Sequence, residues 1–222
     1  MNDIKILNGD CFEMLKDIPS NSIDCVLTDP PYGMDLTPQR DSGKFKGVKI
    51  ANDARLDWTD AFFNECFRVT KNNTGSFFFC SHHCIAEFLI SARKAGFEIK
   101  NLITWDKKQF GMGGNWRPQT EFIILATKGR FVCKSNNLSN IVRYSRTHHS
   151  KAQHPTQKPV DLLKHLLSEP DYNPQLILDP FMGSGSTGVA CVELGLGFTG
   201  IELDKGFFRI ARRRIWEAED AL

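Results

Sequence analysis

Apolar positions along this chain fall into short runs separated by stretches of helical spacing. Runs at 4–7, 23–28, 76–80, 98–105, 120–127, 176–178 and 198–202 have strand length, and most are rich in Ile, Val, Leu or Phe. Residues 11–17 give one or two helical turns stopped by Pro19. Within 57–69, Phe62, Phe63, Cys66 and Phe67 recur at helical spacing, with Asp57 as a candidate cap. Residues 82–95 read as a helix that Gly96 ends, 159–167 as a helix opened by Pro159, 187–194 as a helix after a glycine turn, and 204–219 as a long terminal helix. Strand–helix alternation predicts an α/β protein with a mostly parallel sheet covered by helices on both faces. The patterning lapses twice. Residues 33–56 are polar and weakly patterned, which predicts a long flexible loop. Residues 129–153 lack periodicity, which predicts a short basic insert within one domain spanning 1–222.

Length and composition agree with that picture. The 222 residues suffice for one α/β domain, and 41% apolar with 24% charged content is ordinary for a globular protein. No run of 18 apolar residues exists, so no membrane span is expected, and the first residues lack a signal-peptide pattern. Seven scattered cysteines, an odd number, suit buried free thiols in a reducing, cytoplasmic setting better than a disulfide framework. Net charge is only +2, yet no acid occurs between Glu121 and Asp161, where Lys128, Arg130, Lys134, Arg143, Arg146, Lys151 and Lys158 cluster. Such a segment suits a surface that faces phosphates, while the low total charge argues against nonspecific coating of nucleic acid.

Two motifs carry chemistry. Gly183-Ser184-Gly185-Ser186-Thr187-Gly188 follows an apolar strand and opens a helix, the context of a nucleotide-binding turn. Glu202, 19 residues after Gly183, ends the next strand and can accept ribose hydroxyls. A nicotinamide oxidoreductase has the same spacing, but it needs a second mononucleotide half afterwards, and only 34 residues follow Gly188. The remaining strands therefore precede the turn, an order that implies circular permutation. The second motif, Asp29-Pro30-Pro31-Tyr32, ends the strand at 23–28. Its prolines fix the backbone and remove two donors. The Asp29 carboxylate and Pro30 carbonyl can then accept both hydrogens of an exocyclic amine, stabilising positive charge as its nitrogen attacks. Tyr32 can stack on the base.

With those residues in view, the chain resembles S-adenosylmethionine-dependent DNA amino-methyltransferases of the adenine-N6/cytosine-N4 kind, in the class whose catalytic motif precedes the cofactor motif. Asp29-Pro30-Pro31-Tyr32 matches the family's catalytic signature, and Asp179-Pro180-Phe181-Met182-Gly183-Ser184-Gly185 resembles its cofactor loop. The resemblance implies a circularly permuted Rossmann-like fold with a mostly parallel seven-stranded sheet. It implies S-adenosylmethionine contacts at Asp10, Cys11, Thr156, Lys158, Asp179, Phe181, Gly183, Ser184, Gly185 and Glu202. In the family, target recognition lies between the Glu121 strand and the His154 segment. Candidate contacts to double-stranded DNA are accordingly Arg130, Lys134, Arg143, Arg146 and Lys151. The aspartate form of the motif is more usual for adenine N6, and serine for cytosine N4. A homodimer, a cognate restriction enzyme and a nucleoid-associated location are further expectations from the resemblance.

Cytosine N4, RNA or a protein amide remain alternative acceptors, as does an inert DNA-binding module. Methylation at cytosine C5 is disfavoured because no Pro-Cys pair occurs. Cys80-Ser81-His82-His83-Cys84 has metal-ligand residue types, but they span a strand end and a helix start and would diverge, so no metal is expected.

Overall fold

The computed structural model describes residues 3–33, 56–111, 114–131, 137–147, 154, 156–168 and 173–222. In chain order the elements are β1 (Ile4–Asn8), α1 (Cys11–Met14) running into a 3-10 turn (Leu15–Asp17), β2 (Cys25–Thr28), α2 (Thr59–Val69), β3 (Thr74–Cys80), α3 (Ile85–Ala95), β4 (Glu98–Asp106), β5 (Thr120–Lys128), β6 (Ile141–Arg143), α4 (Val160–Ser168), β7 (Leu176–Asp179), α5 (Ser186–Glu193), β8 (Gly197–Glu202) and α6 (Lys205–Asp220). The strands form one sheet in the order β1-β8-β7-β2-β3-β5-β4-β6. Every neighbouring pair is parallel except the two made by β5, which runs against β3 and β4. The permuted α/β architecture expected from the motif order is therefore present.

The sheet is buried on both sides, and the period-two pleat sorts its side chains between two cores. Cys25, Leu27, Phe77, Phe79, Ile123, Ile177 and Phe198 meet α4, α5 and α6 through Leu163, Leu166, Ala190, Ala211 and Ile215. Val26, Phe78, Cys80, Ile124, Leu178 and Ile201 meet α1, α2 and α3 through Leu15, Phe62, Phe63, Cys66 and Phe88. Three Phe residues in succession thus fill two cores rather than one. The six described cysteines are free and buried, as expected of core thiols.

Several expectations need correction. The sheet has eight strands among the described residues, not seven, because Ile141–Arg143 adds an edge strand beside β4. That strand is three residues long with only Val142 buried, too short for an alternating pattern to show in the sequence. The helix expected from Asp57 starts at Thr59, with Trp58 at the cap position and no side-chain cap bond. The helix expected from residue 82 starts at Ile85, after a turn. Most of the predicted 33–56 loop, together with Lys134 and Lys151, lies outside the described residues.

Candidate active site

The chain leaves β7 towards β8 on one side and leaves β2 towards β3 on the other. That reversal opens a crevice beyond the carboxyl ends of β2 and β7, where open α/β sheets bind ligands. β2 delivers Asp29 and β7 delivers Asp179 to this crevice. One cavity of about 530 Å³ is lined by Asp29, Pro30, Pro31 and Tyr32 together with Phe181, Gly183, Ser184 and Glu202. Two motifs about 150 residues apart thus share a single chamber, as an attacking amine and an electrophile require.

Asp179 ties the two halves together. Its Oδ1 accepts the Thr28 hydroxyl at 2.7 Å and the Phe181 N–H at 3.1 Å, and its Oδ2 accepts the Thr187 hydroxyl at 2.6 Å. Burial pushes this carboxyl up to about 6, against those hydrogen bonds. On the cofactor side, Glu202 accepts the Gly183 N–H at 2.9 Å and the Asp204 N–H at 2.7 Å. Burial pushes Glu202 up to about 7. Asp10 caps α1 by accepting the Phe12 N–H at 2.8 Å, and Cys11 beside it has its thiol pushed up to about 12 by burial. Phe181 lines the chamber while its ring packs on Trp58 and Phe62 of the α2 side. Gly183 needs its positive φ of 53°, and Gly185, at φ 78°, lets the turn approach Ala211. Gly185 is not among the lining residues; it shapes the turn rather than facing the chamber.

The catalytic side holds a chain of charges that the sequence did not reveal. Asp29 Oδ1 accepts the Tyr32 hydroxyl at 2.5 Å, and Oδ2 accepts Lys158 Nζ at 2.6 Å. Lys158 Nζ lies 3.1 Å from Glu121 Oε2, and Glu121 Oε1 accepts Lys107 Nζ at 3.2 Å. Burial pushes the Asp29 carboxyl above its usual range, with the Lys158 ammonium opposing it. Burial alone would lower Lys158, but Asp29 and Glu121 hold it above the usual lysine value. Burial also works upward on Glu121, yet Lys158 and Lys107 keep it below the usual carboxylate value. Lys158, expected beside the cofactor, is thus paired with the Asp29 carboxylate while still lining the chamber. Thr156 lines it too, bonded to His154 Nδ1, and the His154 ring sits 4.1 Å from that of Phe207. Burial, and then Lys158, lowers His154 to about 4, so its imidazole is neutral.

The basic candidates divide. Because β4 and β6 are parallel to the catalytic strands, Arg143 ends β6 at the chamber's edge of the sheet, 3.6 Å from Asp106. Arg146 follows, with Nε 3.3 Å from Gln109 Oε1. Arg130 does not join them. Antiparallel β5 carries the chain away to the opposite edge, where the Arg130 N–H donates to Asn73 near the start of β3.

Comparison with known proteins identifies the family. A family model described as DNA methylase matches residues 23–213. The chain belongs to that family, the S-adenosylmethionine-dependent N6-adenine/N4-cytosine DNA methyltransferases. It is 30% identical to YubD of Escherichia coli (strain K12) over 98% of this chain and 92% of that one. It is 27% identical to the DNA adenine methyltransferase YhdJ of the same strain over 95% of this chain and 82% of the relative. The crystal structure of an M1.HpyAVI–SAM complex superposes with a TM-score of 0.73 at 28% identity, covering 95% of this chain and 99% of that one. As a member of the family, this methyltransferase uses S-adenosylmethionine and acts on amines of DNA bases.

The chamber's chemistry fits that cofactor. The carboxyl groups of Asp10 and Glu202 line the chamber, as suits a ligand that carries a positive sulfonium, and Gly183 lines it without a side chain. Glu202, Asp10 and the Gly183–Ser184 turn are the groups that would hold it.

Proposed function

We propose that this methyltransferase modifies the N6 amine of adenine within a specific sequence of duplex DNA, on a base rotated out of the helix. The carrying observation is the acceptor set at the mouth of β2. Asp29, Pro30 and Tyr32 line the same chamber as the Gly183–Ser184 turn, and the Tyr32 hydroxyl is bonded to Asp29. Each Asp29 oxygen already accepts one hydrogen bond, from Tyr32 or from Lys158. A carboxylate has about four lone-pair sites, so two remain for an incoming amine.

S-adenosylmethionine, when bound, supplies a methyl carbon activated by its sulfonium. Asp29 and the Pro30 carbonyl accept the amine hydrogens and orient the nitrogen lone pair. As the new N–C bond forms, the methyl–sulfur bond breaks and leaves a neutral thioether on the spent cofactor, while positive charge grows on nitrogen and the nearby carboxylate stabilises it. Asp29, raised by burial, is the first acceptor for the proton that nitrogen then releases. Tyr32 holds the plane of the base. Rotating a base out of the stack costs roughly a few kcal/mol, offset by stacking and hydrogen bonding in the pocket.

The aspartate of the motif and the likeness to an adenine methyltransferase favour adenine over cytosine. Arg143 and Arg146, at the chamber's edge, are the proposed DNA contacts within the 129–153 recognition insert of a single catalytic domain. The test is transfer of labelled methyl from S-adenosylmethionine to duplex DNA, followed by nucleoside analysis. N6-methyladenine is expected. N4-methylcytosine would reassign the base, and label in RNA or protein alone would overturn the substrate.

A further inference from the structure

The hairpin between β4 and β5 carries the most exposed large hydrophobic residue among those described: Trp116 is 98% exposed. β4 is parallel to the catalytic strands, so the hairpin springs from the same edge as Asp29. Its neck is fastened. Gln119 Nε2 donates to Asp106 Oδ1 at 2.7 Å, and the Lys107 N–H donates to the Gln119 carbonyl at 3.1 Å. From Lys107 the ion contacts run through Glu121 and Lys158 to Asp29 itself. Farther out, the Gly111 N–H donates to the Pro118 carbonyl at 2.8 Å, and Arg117 Nε donates to the Gly111 carbonyl at 2.9 Å. The Arg117 guanidinium also lies 5.4 Å from the centre of the Phe110 ring. Asn115, at φ 54°, turns the chain just before Trp116. The indole is therefore presented by a braced stem, and three residues of chain put it within about 11 Å of the neck.

The surroundings of that indole select its partner. Residues 107–119 contain no acid, and of their cations Lys107 is paired with Glu121 while Lys108 and Arg117 remain on the hairpin. Arg146 bonds to Gln109 of the same hairpin, and Arg143 lies at its base beside Asp106. An apolar ring set among cations suits a base stack flanked by phosphates, and apolar side chains inserted at base steps unstack and kink duplexes. We propose that Trp116 is the wedge that enters the duplex as the target base leaves it, holding the gap while Asp29 and Tyr32 receive the base. This rests on the base-rotation reading above and assigns it a residue.

The test compares Trp116→Ala and Trp116→Phe with the unsubstituted enzyme, on a duplex carrying the sequence that enzyme methylates, mapped by sequencing of its product. One duplex is fully paired. In the other, the target adenine faces an abasic site, so little work of unpairing remains. For Trp116→Ala, kcat/KM is expected to fall about tenfold or more on the paired duplex and to stay near normal on the abasic one. Trp116→Phe is expected to recover part of the loss. With 2-aminopurine at the target position, the emission rise on binding should shrink in Trp116→Ala. Unchanged turnover on the paired duplex, or an equal loss on both, would overturn the wedge while leaving the methyltransferase reading intact. A change in oligomeric mass with normal methyl transfer would assign the indole to self-association and likewise overturn it. If the unsubstituted enzyme methylated no DNA, the functional reading would fall and the wedge with it.

Discussion

At the residue scale, the chamber is governed by carboxylates held away from their solution behaviour. Asp29 is the decisive one. In the proposed reaction, replacing it with Ala removes the acceptor for the amine and for its proton, and loss of one aimed electrostatic group typically costs about 10²–10³ in kcat. Asp29→Ala should therefore abolish most methyl transfer, while equilibrium dialysis finds cofactor binding largely retained. Thermal melting controls for the loss of one of the Lys158 carboxylate partners; Glu121 remains as the other. Glu202 gives a pH signature. Its carboxyl titrates near 7 because of burial, so in the free enzyme it is substantially protonated just below neutrality. A cationic ligand beside it favours the ionised form and lowers that value. Cofactor binding near pH 6.5 should then release protons, read by calorimetry as a dependence of the binding heat on buffer ionisation heat. Affinity should rise as pH increases towards 7 and level off above it, and Glu202→Gln should lose both effects.

At the element scale, the cofactor turn depends on how closely α5 and α6 approach. Arg214 of α6 reaches back to the Ser184 carbonyl at 2.6 Å, the Ser184 hydroxyl at 3.0 Å and the Ser186 hydroxyl at 3.2 Å. Gly185 makes the approach possible: a β-carbon there would lie 2.9 Å from the Ala211 Cα, at a φ of 78°. Gly185→Ala adds left-handed strain of roughly 1–2 kcal/mol to that overlap. A melting temperature lower by about 3–8 °C is expected, with weaker cofactor binding. Long strands such as β3 and β5 and the helices with strong apolar faces were legible in the sequence, since burial itself writes their periodicity. So were the two motifs, because backbone restriction by Pro and Gly is local. Strand β6 was not legible, having one buried side chain. Nor was the Lys107–Glu121–Lys158–Asp29 chain, because it joins four separate segments and no local spacing encodes it. The position of Arg130 was not legible for a related reason: composition marks a basic segment but not the direction in which β5 carries it.

At the scale of the whole molecule, that direction decides which cations meet DNA. β5 has nine residues, so Arg130, just beyond its far end, stands about 25–30 Å from the chamber's edge of the sheet. Arg143 and Arg146 stand at that edge. The Debye length is about 8–10 Å at ordinary salt, so a duplex lying over the chamber is screened from Arg130. Each phosphate neutralised by a cation contributes about −0.9 to the slope of log K against log salt concentration. Titrating a labelled duplex by fluorescence anisotropy across a range of KCl should therefore separate the three arginines. Arg143→Ala and Arg146→Ala should each flatten the slope by up to about 0.9, the Arg143 effect being reduced by its existing contact with Asp106. Arg130→Ala should leave both slope and affinity unchanged. Equal flattening by Arg130→Ala would mean that the duplex wraps the far edge of the sheet, which no base rotated into the Tyr32 side of the chamber requires.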